Sequence, residues 1–321
     1  MEIWLILTII CAVLASVAGF FDNALVDNYF NGKRPQIQKC FFGPIYAVIS
    51  ISIFIIYPIF FDVPSFSLSS AFFIALSGVI LSLSSIPYYL ALKYENTTGT
   101  VIFSQLAPVF LLILGALLLG QHISHVQLIA FFVLLSAPLL IVLSTRKRGK
   151  KVENKAALLI LVHLIIYAFS YISFLLAERG DGMGEKEMPM VMAVAFLLSG
   201  RAVFDIVLCL IFKKWRKDYS RVLKKSKYKV LIPLFASAAL WITQDALMRY
   251  AMLLGQVAVI SAIENVIKLL ATFLFGLVFT IVWPKFGREK LDKRTVIVHF
   301  VATLIAVCGI VLVENPELFG G

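Results

Sequence analysis

The sequence predicts an all-α integral membrane protein with ten transmembrane helices, arranged as two inverted five-helix repeats. Hydrophobic residues make up 61% of the chain and charged residues only 15%, which leaves little for a separate water-soluble domain. About 20 apolar residues cross about 30 Å of hydrocarbon as a helix, and inside lipid the backbone of such a segment must satisfy its own hydrogen bonds. Ten apolar stretches have this length, namely 3–22, 40–60, 69–92, 98–119, 124–144, 156–177, 189–212, 229–252, 257–283 and 295–313.

The first stretch is expected to remain as a membrane span rather than to be cleaved as a signal peptide. Only Met1 and Glu2 precede it, so it has no basic leader region. It also runs into Asp22 and Asn23 without the small-residue pattern of a cleavage site.

Basic residues lie almost entirely on one side of the predicted bundle. Odd-numbered connections hold nearly all Lys and Arg outside the spans, with Lys39 counted in the first of them, whereas even-numbered connections hold only Arg179 and Lys186. Short cytoplasmic loops collect Lys and Arg. We therefore expect a multi-pass protein of the plasma (inner) membrane with odd-numbered loops in the cytoplasm and both termini outside.

The net charge of +11 is explained by this topology, so we expect no nucleic acid partner. The most basic run, KKWRKDYSRVLKKSKYK at 213–229, is expected to lie against anionic lipid headgroups. The cysteines show no CxxC spacing and are expected to be free, buried apolar side chains rather than a disulfide framework or a zinc site. They are Cys11, Cys40, Cys209 and Cys308.

A polar linker at 146–155 divides the chain into a first five-helix repeat, 1–145, and a second, 156–321. Because five is an odd number, related halves insert in opposite orientations. Aligning the halves places Ser104 on Glu264 and Gln105 on Asn265. Identity between the halves is otherwise low, and chance similarity remains the alternative.

The segment ALKYENTTGTVIFSQLAPVFLLILGALLLGQHISHVQLIAFFVLLSAPLLIVLS, residues 91–144, resembles the EamA type of the drug/metabolite transporter superfamily. The resemblance includes the polar pair before Pro108 and the Leu-rich stretch that ends at Gly120. It implies ten helices in two inverted repeats, a central cavity lined by spans one, three, four, six, eight and nine, and transport of small metabolites. The chain departs from the pattern at Gln121, where an acid is usual, and at Lys268, which aligns with Pro108.

Three pairs of opposite charge stand four residues apart inside predicted spans: Arg201 with Asp205, Asp245 with Arg249, and Glu264 with Lys268. This spacing places both side chains on one helical face, where they can neutralise each other. Each intramembrane charge costs about 2.5–3.5 kcal/mol, so it needs a functional or structural reason. Fixing helix packing is the structural alternative for every pair.

Glu264, Asn265 and Lys268 are the strongest candidates for a substrate site. Glu264 lies about 10 Å into the ninth span and Lys268 near mid-depth, where transporters built from repeats place their substrate. We expect Glu264 and Asp245 to couple transport to protons. Substrate-binding candidates are Tyr88, Gln105, Tyr167, Trp241, Asp245, Glu264, Asn265 and Lys268.

Three further residues, His163, Tyr171 and Asp22, are ambiguous. His163, Tyr167 and Tyr171 share one face of the sixth span, which suits a cavity wall, but the sequence favours an interfacial position for His163. Asp22 is either a site residue or a cap at the end of the first helix.

The leading functional prediction is a secondary transporter that moves a small, amino-acid-like or other organic metabolite by alternating access. Its predicted partners are that substrate and the lipid bilayer, and the sequence makes no prediction of oligomeric state. We expect no cofactor, no metal and no enzymatic activity, since no P-loop or catalytic motif occurs. Alternatives are a flippase for an amphipathic or lipid-linked substrate, an intramembrane lipid-modifying enzyme, and a non-transporting scaffold or receptor.

Overall fold

A computed structural model describes residues 2–29, 36–62, 66–91, 106–121, 124–145, 154–179, 188–226, 229–282 and 293–314. Within these ranges the secondary structure consists of helices without strands. The helices are α1 Ile3–Asn28, α2 Gln36–Phe60, α3 Leu68–Ala91, α4 Ala107–Leu119, α5 His125–Thr145, α6 Asn154–Arg179, α7 Met190–Ile211, α8 Lys213–Ser226, α9 Leu231–Leu254, α10 Val257–Val282 and α11 Lys293–Glu314.

Each of the ten predicted spans overlaps a helix in the part that the structure describes, although the fourth, 98–119, is helical over Ala107–Leu119 and its positions 98–105 lie outside the described residues. Six helices are long and apolar enough to cross a membrane, and three shorter apolar segments accompany them among the described residues. The chain is therefore compatible with a multi-pass membrane protein. The six are Ile3–Asp22, Gln38–Phe60, Leu68–Tyr88, Leu158–Glu178, Met190–Ile211 and Leu231–Leu254, and the shorter three are Ala107–Leu119, His125–Ala137 and Phe300–Leu312.

The helix count corrects the prediction, because the described residues form eleven helices rather than ten. The additional helix is α8, which occupies most of the basic run that the sequence assigns to a connection. It is amphipathic, and none of its residues is fully buried. Its Tyr219 ring meets the Phe41 ring of α2 edge-on at 4.5 Å, and burial there raises the pKa of the Tyr219 hydroxyl above its ordinary value.

The helices pack chiefly in four pairs: α3 with α6, α1 with α9, α2 with α7, and α5 with α11. In the α1–α9 pair, Trp4 lies beside Gly255, and Asp22 lies beside Trp241, so the two helices run antiparallel. We call the two ends of the bundle the Trp4 end and the α8 end.

The hydrophobic core is thickest in the half of the bundle towards the Trp4 end. There one buried cluster joins α1, α3, α4, α6, α7, α9 and the start of α10. Its members include Cys11, Ile74, Tyr171, Phe174, Met192, Met248 and Ile260. A separate cluster towards the α8 end joins α1, α2, α7 and α9.

Two glycines bring the α3 and α7 backbones together in the Trp4 half. A Cβ added at Gly200 would overlap the carbonyl oxygen of Ala75, and one added at Gly78 would overlap the carbonyl oxygen of Leu197. Small residues permit such close backbone approach between membrane helices.

Two of the four cysteines are paired, so the expectation that all are free is wrong. Cys40 of α2 and Cys209 of α7 form a disulfide, with their Cα atoms 5.4 Å apart. They are 169 positions apart in sequence, and only the antiparallel packing of α2 on α7 brings them together. Cys11 and Cys308 are free.

Candidate functional site

The α8 half of the bundle contains a buried ion pair that the sequence analysis missed. Lys39 Nζ lies 2.8 Å from Asp205 Oδ1 and donates to both the carbonyl and the hydroxyl oxygen of Ser82 at 2.7 Å each. The two charged side chains are only 4% and 3% exposed. Placing Lys39 in a connection is therefore wrong, because α2 begins earlier than the apolar pattern indicates and carries this lysine into the bundle.

The pairing predicted between Arg201 and Asp205 is also wrong. Arg201 instead donates from Nη2 to the Tyr46 hydroxyl at 2.8 Å, and its Nη1 lies 3.5 Å from Asp245 Oδ2 on α9. Because Lys39 binds Asp205, the Arg201 guanidinium instead pairs with Asp245 on the neighbouring helix α9.

The predicted pairs Asp245–Arg249 and Glu264–Lys268 are confirmed, at 3.5 Å and 3.8 Å. Asp245 also accepts a hydrogen bond from the Tyr171 hydroxyl at 2.8 Å. It therefore ties together α6, α7 and α9. We call Tyr171, Arg201, Asp245 and Arg249 the charge network.

Arg249 is the most completely enclosed member of the charge network, with no exposed surface. Its guanidinium carbon lies 4.3 Å from the Tyr171 ring centre and 4.6 Å from that of Phe174. Its Nη2 donates to the Ser170 hydroxyl at 3.1 Å. Together with the hydrophobic core, these contacts close the bundle between α6 and α9 in the Trp4 half.

His163 and Tyr167 of α6 face the interior of the bundle and yet remain only partly buried. At about 100° per residue, both lie on the side of α6 opposite the exposed apolar residues. Those exposed apolar residues are Leu158, Val162, Ile165, Phe169 and Leu176. His163 and Tyr167 therefore keep part of their surface uncovered on the inward side of α6.

Trp241 of α9 has the same placement. It is partly buried and lies opposite the exposed side chains of its own helix. The large apolar side chains exposed on α9 are Ile232, Phe235, Tyr250 and Leu254. Trp241 thus faces the interior of the bundle from the α9 side.

The Glu264–Lys268 pair of α10 lies near Trp241, His163 and Tyr167. Lys268 keeps 36% of its side chain exposed and Glu264 only 7%. Lys268 Nζ lies 5.7 Å from the Trp241 ring centre and interacts electrostatically with His163. Glu264 interacts electrostatically with the Tyr167 hydroxyl.

Tyr88 of α3 adds a further aromatic wall, since its ring centre lies 5.2 Å from that of His163. We call Tyr88, His163, Tyr167, Trp241, Glu264 and Lys268 the central site. It presents one acid, one base and four rings, an arrangement suited to a small polar or zwitterionic molecule with an apolar part.

Asp22 lies next to the central site. Its carboxylate accepts hydrogen bonds from Gln38 of α2 at 3.0 Å, from Ser237 at 2.5 Å and from Trp241 Nε1 at 2.9 Å. The interpretation of Asp22 as a helix cap is wrong, because α1 continues past it to Asn28.

Most of the predicted site residues fall at or beside the central site. Tyr88, Tyr167, Trp241, Glu264 and Lys268 belong to it, and Asp245 belongs to the adjoining charge network. Asn265 is buried beside Glu264. Gln105 lies outside the described residues.

The sequence favours an interfacial position for His163, and the structure shows which side chains surround it. Its Nδ1 lies 2.8 Å from the Ser84 carbonyl oxygen of α3, and its ring lies between those of Tyr88 and Tyr167. The four-residue spacing from Tyr167 was the available signal. Lys39 and Tyr46 carried no comparable signal, because their partners are far away in sequence.

No group of three or more His, Cys, Asp or Glu side chains suited to hold a metal ion occurs in the part of the chain that the structure describes.

No protein-family model matches this sequence, and comparison with curated proteins gives no match. Twenty-seven chains of solved structures are similar to it. One of them, a protein known from a crystal structure, aligns over 98% of both chains with a TM-score of 0.60 and 11% identity. At this identity the similarity shows a shared fold alone.

Proposed function

We propose that the protein is a secondary transporter that moves a small organic metabolite across the membrane by alternating access. The observation that carries the proposal is the central site itself. Partly uncovered polar and aromatic side chains from α3, α6, α9 and α10 converge in the interior of the bundle, and they include an acid and a base that are costly to place in lipid.

The helix pairing supports two inverted five-helix repeats. In this arrangement α1 to α5 correspond in order to α6, α7, α9, α10 and α11. The α3–α6 pair then corresponds to the α1–α9 pair, and the α2–α7 and α5–α11 pairs correspond to themselves. These are the four most extensive pairings in the bundle, and their exchange fits a two-fold axis in the membrane plane.

Differences between corresponding pairs support a conformation that is closed at one end. The α3–α7 pair packs closely through Gly78 and Gly200, but its counterpart, α2 with α9, packs only sparsely. The charge network joins α6 to α9 in the Trp4 half. The central site is therefore assigned an opening towards the α8 end, which is the cytoplasmic end if the basic residues set the orientation.

In this proposal Glu264 and Lys268 bind the charged groups of the substrate, and the four rings of the central site bind its apolar part. Of the two acids expected to couple transport to protons, Glu264 borders the central site, whereas Asp245 lies between two arginines. Glu264 is thus the one that a substrate reaches directly.

The test begins with thermal unfolding of the detergent-purified protein against a metabolite library, since a ligand of the folded state raises the melting temperature. Metabolites that stabilise the protein are then measured for uptake into proteoliposomes. Glu264→Gln is expected to lower uptake by at least about tenfold, the loss that 1.4 kcal/mol of binding energy produces.

Asp218→Asn is the matched control, because it neutralises an acid on the surface of α8 and should leave uptake unchanged. The proposal is contradicted if no metabolite enters the proteoliposomes faster than it enters protein-free liposomes. The assigned role of Glu264 is contradicted if Glu264→Gln takes up substrate like the wild type.

A further inference from the structure

Asp22 differs from the other acids inside the bundle in the kind of partner it has. Within the described chain, Asp205, Asp245 and Glu264 each lie in an ion pair. Asp22 is held by an amide, a hydroxyl and an indole N–H, all of them neutral, and no described cation lies within ion-pair distance. It can therefore change its charge without leaving a buried cation unpaired.

The surroundings of Asp22 come from four helices. Two cations lie beside the partners of Asp22, but each has another contact: Lys39, next to Gln38 in the sequence, binds Asp205, and Lys268 lies over the Trp241 ring. Two tyrosine hydroxyls are close enough to interact electrostatically. The polar and charged groups around this carboxylate and its partners are Gln38, Lys39 and Tyr46 of α2, Tyr88 of α3, Ser237 and Trp241 of α9, and Lys268 of α10.

The three hydrogen-bond donors respond differently when the carboxylate takes up a proton. A neutral carboxyl group carries one O–H donor and accepts more weakly than the carboxylate. Ser237 can rotate its hydroxyl to accept, and Gln38 can present its amide oxygen. Trp241 cannot adapt, because the indole N–H only donates.

Trp241 connects this chemistry to the central site. Its N–H lies 2.9 Å from Asp22 Oδ2, while its ring face meets Lys268 Nζ at 5.7 Å. A change in the Asp22 hydrogen bond therefore shifts a ring that helps to place the base of the central site.

We propose that Asp22 is the site of the coupling proton and that Trp241 transmits its protonation to the central site. One proton adds to one carboxylate oxygen, giving a neutral carboxyl group, and no other covalent bond forms or breaks. The residue is well placed for this exchange, because Asp22 lies towards the α8 end, where the central site is assigned its opening. This inference rests on the proposed function, but its first test does not require transport.

The first test measures fluorescence from Trp241 alone, in protein whose other tryptophans are replaced by Trp4→Phe, Trp215→Phe and Trp283→Phe. Between about pH 4 and about pH 9, a range that spans ordinary and burial-shifted carboxyl titration, the emission should follow a single-site curve. Asp22→Asn should abolish the curve, because the amide does not titrate. Asp22→Glu should restore a titration at a shifted midpoint.

Two controls accompany this measurement. Asp218→Asn should leave the titration unchanged, and size-exclusion chromatography should show that every variant remains folded. The inference is overturned if Trp241 emission does not titrate in the wild type, or if Asp22→Asn titrates like the wild type.

The second test uses proteoliposomes with an imposed pH gradient and a metabolite identified by the thermal screen. Asp22→Asn should still exchange substrate across the membrane, but gradient-driven accumulation should fall to equal concentrations on both sides. Accumulation at the wild-type level by Asp22→Asn would overturn the inference. Absence of uptake by the wild type would contradict the transport proposal instead, while the fluorescence titration would still decide the role of Asp22.

Discussion

At the scale of single residues, Asp245 is the acid that two buried arginines share. Its Oδ2 lies 3.5 Å from both Arg201 and Arg249, while its Oδ1 accepts from the Tyr171 hydroxyl. Removing one member of a buried ion pair is far more damaging than removing the whole pair, because the remaining charge keeps its desolvation cost.

Asp245→Asn is therefore expected to destabilise the protein by about 3–5 kcal/mol, since two buried guanidinium groups lose their acid. The measurement is the melting temperature in detergent. The surface variant Asp218→Asn breaks only the exposed pair with Arg221 and should cost less than about 1 kcal/mol. Equal melting temperatures for the two variants would show that the charge network does not hold α6, α7 and α9 together.

The partner of Asp205 shows where residue-level prediction from the sequence stops. Spacing along one helix gives Arg201 as its partner, and the same rule correctly gives Asp245–Arg249 and Glu264–Lys268. Lys39 lies 166 positions away from Asp205, and only the packing of α2 on α7 makes it the nearer base. Local spacing predicts which residues share a face, but it does not say which helix that face meets.

At the scale of helices, the α3–α7 crossing depends on two glycines, whose lack of a side chain lets the backbones meet. Gly78 and Gly200 each lie against a carbonyl group of the opposite helix, so no flexible side chain can move aside to make room. The two helices are in backbone contact there, which fixes their separation.

Gly200→Ala is expected to push α3 and α7 apart and to cost at least about 1–3 kcal/mol, the usual range for overpacking. Yield of monodisperse protein and melting temperature measure the effect. Gly19→Ala is the control in α1, because an added Cβ there meets nothing within 4 Å. Alanine is also the better helix former, so that variant should be as stable as the wild type or more so. Equal melting temperatures for Gly200→Ala and Gly19→Ala would contradict a tight α3–α7 crossing.

Helix positions were largely predictable from the sequence, because a span of lipid fixes the length of an apolar segment. Helix α8 was not predicted, since a short run with so many lysines and arginines reads as a loop by hydropathy alone. Its helical character follows from a different pattern, in which Trp215, Tyr219 and Val222 face the protein and the cations face outwards.

At the scale of the whole molecule, the two ends of the bundle differ in charge and in packing. The α8 end carries the basic helix and the assigned opening of the central site, whereas the Trp4 end carries the thick hydrophobic core. The orientation of these ends in the membrane is a prediction from the distribution of Lys and Arg.

Single cysteines at the two ends test that orientation, in a background whose four native cysteines are replaced. Asp62→Cys, after α2, should react with a membrane-impermeant maleimide on intact cells. Ser220→Cys, on the outer face of α8, should react only after the membrane is permeabilised. The opposite result would reverse the orientation, and equal labelling of both positions on intact cells would contradict their placement on opposite sides.

The charge network has one further consequence, which concerns leakage. Arg201 and Arg249 share Asp245, so these three residues carry one more positive than negative charge. A fixed cation in a poorly polarisable interior repels hydronium and metal ions. Under the transport proposal, the seam between α6 and α9 would therefore be an electrostatic barrier as well as a steric one, and it would preserve an ion gradient across the membrane between turnovers.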